Sequence, residues 1–224
     1  MKYKTLIIFD LDGTLYRLRG GSYLKSPLRR AILRQAEAFI VRRLKLSPAA
    51  AKKVLNAIQK EYGEDISIAL EKKYGIDRFD YFETVWNLSA QGLVQKSPLI
   101  RPLLLRLQKK YSLAVVSEAP RVWIKRVLKE LEILDIFQNN IFSGEGSNRK
   151  GFGNAFSKIA KIFKVKPTDC ITVGDQEKTD IIPAQKIGMK AIYISSNKIS
   201  SVADASIRSI SDLEEQILFL TRKH

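Results

Sequence analysis

The chain has 224 residues, 45% of them hydrophobic, which suits one large domain or one domain that carries a smaller insertion. Its net charge of +16 indicates a surface that attracts anions, such as phosphorylated substrates or nucleic acid. No apolar run approaches the roughly 18 residues of a membrane span, and Asp10 interrupts the N-terminal run too early for a signal peptide. A single cysteine, Cys170, excludes an intramolecular disulfide. We therefore expect a soluble, cytoplasmic protein that does not bind membranes.

The first predicted element is a buried strand over residues 4–9, and residues 16–25 have the composition of a linker. From there to about residue 95 the pattern is helical. Serine followed by proline occurs twice, and a serine N-cap with proline at the first helical position is a typical helix start. Four helices are predicted: from Ser26-Pro27 to about Leu44, from Ser47-Pro48 to Gly63, from Asp65 to Gly75 and over 80–90.

The remainder of the chain alternates strands with helices. The predicted elements are a helix ending near 110, a strand over 112–117, a helix over 119–131, a strand over 140–142, a helix around 155–163, a strand over 170–173, a helix over 182–187, a strand over 190–194 and a helix from 211. This alternation predicts an α/β fold: a three-layer, Rossmann-like parallel sheet core over 1–15 and 96–224. The segment 16–95 is predicted to be an all-helical domain inserted after the first strand.

Polar side chains follow the predicted strands, at the sheet edge where open α/β sheets bind ligands. Clustered carboxylates repel one another and therefore need a cation, and oxygen ligands without histidine or cysteine suit Mg²⁺. Two neighbouring carboxylates in different environments can divide the roles of ionised nucleophile and proton carrier. Strand by strand, the residues are Asp10, Asp12 and Thr14; Ser117 and Glu118; Lys150; and Asp175 with Asp180.

These residues resemble the motifs of the haloacid dehalogenase-like hydrolase superfamily. The stretch from Asp10 to Leu15, read as Asp-Leu-Asp-Gly-Thr-Leu, is similar to its first motif, and Ser117 is similar to its second. Lys150 matches the third motif, and Gly174-Asp175 with Asp180 matches the fourth. The helical insertion resembles the small cap domain of phosphoglycolate phosphatases and related nucleotidases, which would close over the site and exclude water.

The resemblance implies a Mg²⁺-dependent phosphomonoester hydrolase that acts on a small phosphorylated metabolite through an aspartyl phosphate. Asp10 would be the nucleophile and a metal ligand. Asp12 would be the general acid/base, and its backbone carbonyl would also bind the metal. Asp175 would be the third protein ligand.

The remaining motif residues would hold the phosphate and organise the site. Ser117, Lys150 and Thr14 would bind phosphate, and Thr14 would also help to position Asp12. Asp180 would lie near Lys150 and the metal-bound waters, without binding the metal itself. Glu118 stands where many relatives carry a small or amide residue, so its carboxylate would either repel phosphate or point to solvent.

Other activities remain open at this point. The dehalogenase branch is disfavoured, because Asp12 supplies the acid/base that a phosphatase needs, and a phosphomutase is less favoured. A different class of function is a basic nucleic-acid- or partner-binding protein on the same scaffold with little catalysis. The sequence has no arginine-rich block to support it. The candidate substrates are phosphoglycolate, nucleoside monophosphates and sugar phosphates. The sequence does not distinguish among them, and it does not give the oligomeric state.

Overall fold

The computed structural model describes residues 5–20, 22–146, 150 and 154–222. The first residue of the predicted N-terminal strand, Lys4, lies outside these ranges. The chain divides into two compact units. One comprises Met1–Arg17 and Val94–His224, the sheet unit, and the other comprises Leu18–Leu93, the helical unit. The boundaries of the helical unit differ by two residues at each end from those of the predicted insertion.

Eight strands and ten α-helices are described. The strands are β1 (Leu6–Phe9), β2 (Arg17–Leu18), β3 (Val94–Gln95), β4 (Ser112–Ser117), β5 (Ile141–Ser143), β6 (Cys170–Gly174), β7 (Lys190–Ile194) and β8 (Ala205–Ile207). The helices are α1 (Pro27–Leu44), α2 (Pro48–Tyr62), α3 (Ile66–Tyr74), α4 (Arg78–Val85), α5 (Ile100–Leu107), α6 (Arg121–Glu130), α7 (Leu134–Phe137), α8 (Asn154–Phe163), α9 (Ile182–Gln185) and α10 (Leu213–Arg222).

Six of the strands form one parallel sheet in the order β5-β4-β1-β6-β7-β8. Phe9, at the end of β1, is level with Val115 of β4 and Val173 of β6. Because parallel strands in register end at the same edge, the residues that follow β1, β4 and β6 emerge together. The predicted Rossmann-like α/β core is confirmed.

Helices cover both faces of this sheet, because strands buried on both sides need apolar partners on each. On one face, Leu6 and Ile8 belong to a buried cluster that includes Phe156 of α8 and Ala184 of α9. On the other, Phe9 packs edge-to-face on Phe137 of α7, with ring centroids 6.2 Å apart. The core therefore lies on both sides of β1 and fixes the strand that carries the first motif.

The helical unit contains α1 to α4. The predicted serine caps of α1 and α2 are confirmed, because Ser26 Oγ accepts from Arg29 N at 3.1 Å and Ser47 Oγ accepts from Ala50 N at 3.3 Å. Phe39 and Tyr81 pack edge-to-face between α1 and α4. Among the described residues, every helix lacks the combination of length and apolar character that a bilayer crossing requires.

The structure corrects several of the predicted elements. The edge strand β8 and the short helix α7 were not predicted, because segments of three or four residues carry only a weak pattern of their own. Strands β2 and β3 lie at the two ends of the segment predicted to be all-helical, and they pair with each other. Helix α4 ends at Val85 rather than residue 90, and it begins earlier because the Asp77 side chain accepts from Phe79 N at 2.8 Å.

Candidate active site

The carboxylate of Asp10 is buried at the end of β1 and is held at both oxygens. Its backbone N–H donates to Val173 O at 2.8 Å, which continues the β1–β6 pairing one residue past the strand. Oδ2 accepts from the Thr14 hydroxyl at 3.1 Å, and Oδ1 accepts from Lys150 Nζ at 2.5 Å. Only 4% of the residue is exposed. The side chain is therefore fixed in one orientation.

A tight turn at Gly13 follows Asp12. Gly13 has φ +95°, a backbone conformation that favours glycine, and its N–H donates to Tyr16 O at 3.0 Å. A Cβ atom at this position would lie 2.1 Å from Asp175 Oδ2. Glycine is therefore required twice, for the turn itself and for the approach of the Asp175 carboxylate to the first motif.

Asp12 is held by two hydroxyl groups, one on each carboxylate oxygen. Ser117 Oγ, at the end of β4, donates to Oδ2 at 3.1 Å, and the Tyr16 hydroxyl donates to Oδ1. Burial and the nearby charge of Asp10 raise the pKa of Asp12, while hydrogen bonds from Tyr16 and Ser117 act in the opposite direction. A raised carboxyl pKa suits a group that must both give and take a proton.

Lys150 is buried between two carboxylates. Its Nζ donates to Asp10 Oδ1 at 2.5 Å and to Asp180 Oδ1 at 2.6 Å, and its side chain is 3% exposed. Burial alone would lower the pKa of Lys150, but attraction to Asp10 and Asp180 outweighs it and raises that pKa. The ammonium therefore stays charged and offsets part of the negative charge at the sheet edge.

Asp175 and Asp180 follow β6 and complete an acidic group with Asp10. One oxygen of each lies within 4.8 Å of the others. Burial, then the charges of Asp10 and Asp180, raise the pKa of Asp175 to about 8. Burial raises the pKa of Asp180 to about 6, with Lys150 opposing the shift and Asp10 adding to it.

The acidic group fits a divalent metal ion. Its donors are all carboxylate oxygens, which hard cations prefer. Asp175 Oδ1 is buried and has no hydrogen-bond partner in the part of the chain that the structure describes. An unpaired buried carboxylate oxygen is costly, and a bound cation would satisfy it. Asp10, Asp175 and Asp180 could therefore hold such an ion.

The structure brings all seven predicted site residues to one edge of the sheet, but two contacts differ from expectation. The hydroxyl of Thr14 was predicted to position Asp12, and it donates instead to Asp10. Asp180 bonds to Lys150, as expected, yet its carboxylate also lies as close to Asp10 and Asp175 as a metal ligand would. The side chain of Asp12 faces the two hydroxyls described above. The catalytic roles themselves stay predictions.

Two contributors to the site were not predicted. Tyr16 contacts Asp12, and its position four residues later was the available signal, although it was assigned to a linker. Glu118 Oε1 accepts from the backbone N–H of Lys150 at 2.5 Å, so its carboxylate is engaged with Lys150. Nothing in the sequence indicates that pairing, because 32 residues separate the partners. Gly144 permits it, since a Cβ there would lie 2.7 Å from Glu118 O.

Comparison with known proteins agrees with this geometry. The model of the haloacid dehalogenase-like hydrolase family matches residues 4–188. A curated relative from Pyrococcus furiosus, named glyceraldehyde 3-phosphate phosphatase, is 27% identical over 214 residues, which cover 90% of this chain and 85% of the relative. A Pyrococcus abyssi protein of the same name is 27% identical over 203 residues, with coverage of 86% and 82%. These names support a phosphatase.

Solved structures share the fold. A phosphatase of this superfamily from Thermococcus onnurineus superposes with a TM-score of 0.67 at 23% identity, covering 95% of this chain and 97% of its own. A 2-haloacid dehalogenase from Pseudomonas syringae gives 0.62 at 20% identity, with coverage of 96% and 98%. The hydrolase YfnB from Bacillus subtilis, solved bound to magnesium, gives 0.58 at 16% identity, with coverage of 96% and 99%. With its fold, its acidic sheet edge and a family match over most of its length, the chain belongs to the haloacid dehalogenase-like hydrolases.

Proposed function

We propose that this protein is a Mg²⁺-dependent phosphomonoester hydrolase that acts on a small phosphorylated metabolite through an aspartyl phosphate on Asp10. The observation that carries the proposal is the arrangement of Asp10. Its buried carboxylate forms an ion pair with Lys150. It also belongs to the group of three acids with Asp175 and Asp180, and the buried Oδ1 of Asp175 has no hydrogen-bond partner among the described residues. A fixed carboxylate beside compensating positive charge is suited to attack phosphorus.

In the first half of the reaction, an oxygen of Asp10 forms a bond to phosphorus as the bond to the leaving-group oxygen breaks. Lys150 neutralises negative charge on the transferring phosphoryl group, and Ser117, Lys150 and Thr14 bind its oxygens, with Thr14 also orienting Asp10. When bound, Mg²⁺ adds positive charge at the phosphoryl oxygens. Asp10, Asp175 and the backbone carbonyl of Asp12 would hold the ion, and the geometry favours adding Asp180 to that set.

Asp12 handles the proton in both halves. It gives its proton to the leaving-group oxygen as that bond breaks, and it then takes a proton from the water that attacks the phosphoaspartate. Water attack forms a new bond to phosphorus and breaks the bond to Asp10, which regenerates the free carboxylate. The burial of Asp12 and its proximity to Asp10, which raise its pKa, support this double role.

For the substrate, the first candidate is a triose phosphate, because both curated relatives are named glyceraldehyde 3-phosphate phosphatase. An identity of 27% leaves phosphoglycolate, nucleoside monophosphates and sugar phosphates as competitors. A dehalogenase among the structural neighbours supports only the fold, since its identity is 20%. The acid/base Asp12, which hydrolysis of a phosphoester needs, favours the phosphatase branch.

The binding-protein alternative has less support. A groove of about 810 Å³ in the sheet unit carries the basic residues Arg101, Arg121, Lys125 and Lys129. Two of the four are already engaged, because Arg101 pairs with Asp135 and Arg121 donates to a backbone carbonyl at 2.7 Å. The groove also contains two acids, Glu132 and Asp135, which would oppose a polyanion.

The test is phosphate release from a panel of phosphorylated metabolites, with glyceraldehyde 3-phosphate included, in Mg²⁺ and in EDTA. We expect release that requires the metal, and Asp10→Asn should lower it by at least about 10³-fold, because the nucleophile is lost. Asp80→Asn, the same change in the helical unit, is the matched control and should keep full activity. Metal-independent release, or activity that survives Asp10→Asn, would contradict the proposal. Salt-sensitive RNA binding without turnover would favour the alternative.

A further inference from the structure

The side chain of Tyr16 is an unassigned part of the site. It is 2% exposed, and it is brought next to Asp12 by the turn at Gly13, where Gly13 N donates to Tyr16 O and Leu15 N donates to Leu11 O at 3.0 Å each. Its hydroxyl donates to Asp12 Oδ1. The contact is therefore built by the backbone of the first motif itself.

The Tyr16 hydroxyl has a second polar neighbour besides Asp12, the indole of Trp123. Burial and then Asp12 raise the pKa of the Tyr16 phenol, while Trp123, on α6, acts in the opposite direction. The indole N–H of Trp123 is fully buried and falls outside hydrogen-bond geometry with every described acceptor. An ionised carboxylate can only accept hydrogen bonds, so the Tyr16 hydroxyl is the donor in its contact with Asp12.

The two hydroxyls on Asp12 differ in what else they do. Ser117 Oγ donates to Oδ2 and accepts from Ala119 N, both at 3.1 Å, and it is also the residue proposed to bind a phosphoryl oxygen. When Ser117 donates to phosphate, Oδ2 loses its donor. Tyr16 is 2% exposed and has no proposed role in binding phosphate, so we expect its bond to Oδ1 to persist when substrate binds.

We propose that Tyr16 is a positioning residue that anchors Asp12 through Oδ1 and so reserves Oδ2 for proton exchange with the leaving group and the water. This inference rests on the proposed function. Because Oδ1 accepts a hydrogen bond from Tyr16, the acid proton of Asp12 is carried by Oδ2. Oδ2 is free to face the substrate once Ser117 donates to phosphate instead. The proton then moves from Oδ2 to the leaving-group oxygen as the phosphorus–oxygen bond breaks, and a proton of the attacking water returns to Oδ2.

The test compares leaving groups that differ in their need for a proton. An alkyl phosphate such as glycerol phosphate loses a strongly basic alkoxide, whereas dinitrophenyl phosphate loses a weakly basic phenolate that leaves without one. The measurement is kcat/KM, because it covers the steps up to departure of the leaving group. For Tyr16→Phe we expect kcat/KM on the alkyl ester to fall by about 10- to 100-fold, part of the usual contribution of general acid catalysis.

On the dinitrophenyl ester, kcat/KM of Tyr16→Phe should stay within about twofold of wild type, while kcat falls because Asp12 must still accept a proton from water. Tyr111→Phe, which removes a hydroxyl just before β4 at the opposite end of that strand, should change neither ester. Equal losses of kcat/KM on both esters, or no loss on the alkyl ester, would overturn the inference alone. A wild-type protein that releases no phosphate from either ester would overturn the proposed function and this inference with it.

Discussion

Acidic and basic side chains meet in both units of this protein, but burial makes the two sets of contacts different in kind. In the helical unit the ion pairs lie at the surface: Arg29–Glu64, Arg43–Asp80 and Lys73–Glu61. At the sheet edge, Lys150 meets Asp10 and Asp180, and no side chain of the three is more than 5% exposed. Water screens the first set and is excluded from the second.

The pKa values of the carboxyl groups record this difference. The hydrogen bond and charge of Lys73 lower the pKa of Glu61, as expected for an exposed acid beside a base. Burial and neighbouring acids raise the pKa of Asp175 to about 8, although Lys150 is near. The raised pKa means that the charged form of Asp175 is disfavoured in the metal-free site, and a bound cation would stabilise that form. The exposed Lys73–Glu61 pair needs no such ion.

The largest expected effect comes from removing the ammonium group of the buried Lys150, and the matched comparison is removal of the ammonium group of the exposed Lys73. Lys150→Met leaves Asp10 and Asp180 buried without their cation, so we expect a loss of about 3–5 kcal/mol in the free energy of unfolding in EDTA. Activity should fall by about 10²- to 10³-fold, because charge on the phosphoryl group is no longer offset. Lys73→Met should leave both quantities unchanged. Urea unfolding and phosphate release measure them, and equal effects of the two variants would break the contrast.

A smaller effect is expected from pH in the metal-free protein. The folded-state pKa values of Asp175 and Asp180, about 8 and about 6, lie above the value of 3.8 for an unperturbed carboxyl group. The folded state therefore binds protons more tightly than the unfolded state. Its stability is highest at low pH in this window and falls as pH rises from about 4 to about 8. We expect Tm in EDTA to decrease by several degrees between about pH 5 and pH 8.

Mg²⁺ should reverse this trend, since the ion competes with protons for the same oxygens and binds better as pH rises. The chain has one histidine, so few other side chains titrate in this range. Asp175→Asn should flatten the pH dependence in EDTA and remove most of the rise in Tm with Mg²⁺, whereas Asp80→Asn should change neither. A metal-free Tm that rises from pH 5 to pH 8 and depends on Asp175 would contradict the predicted direction.

The smallest expected effect concerns two helix caps in the helical unit, one buried and one exposed. Ser26 is 1% exposed, accepts from Arg29 N and donates to Tyr23 O at 2.7 Å, whereas Ser47 is an exposed cap that accepts from Ala50 N at 3.3 Å. Ser26→Ala should cost about 1–2 kcal/mol and Ser47→Ala about 0.5 kcal/mol of unfolding free energy. Chemical denaturation of the two variants measures the difference, and a larger cost at Ser47 would count against burial as the deciding factor.

Much of the fold and the composition of the site could be predicted from sequence, because both depend on local signals. The strand before Asp10 is a continuous apolar run, and Ser26-Pro27 is a local helix start. The seven site residues were predicted from their place after strands, since parallel strands end at one edge. Strand β8 could not be predicted, because its pairing with β7 rather than its own pattern makes it a strand.

The contacts inside the site were harder to predict than its membership. Asp180 was expected to lie near the metal without touching it, and its closeness to Asp10 depends on Gly174, where a Cβ would lie 2.4 Å from the Asp180 side chain. Two other contacts depend on side-chain orientation. Lys150 N donates to the Glu118 carboxylate, and the Thr14 hydroxyl donates to Asp10 rather than to Asp12. No pattern of residue types along the chain encodes that orientation.

The central claim is that Asp10 is the nucleophile, and the most direct test is to find the phosphoryl group on it. The protein is mixed with Mg²⁺ and dinitrophenyl phosphate, quenched in acid within one turnover, digested and mapped by mass spectrometry. We predict a phosphoryl group on the peptide that carries Asp10, absent when Asp10→Asn is used and accumulated when Asp12→Asn slows its hydrolysis. Turnover with no phosphorylated peptide at any quench time, or phosphorylation that persists in Asp10→Asn, would contradict the account.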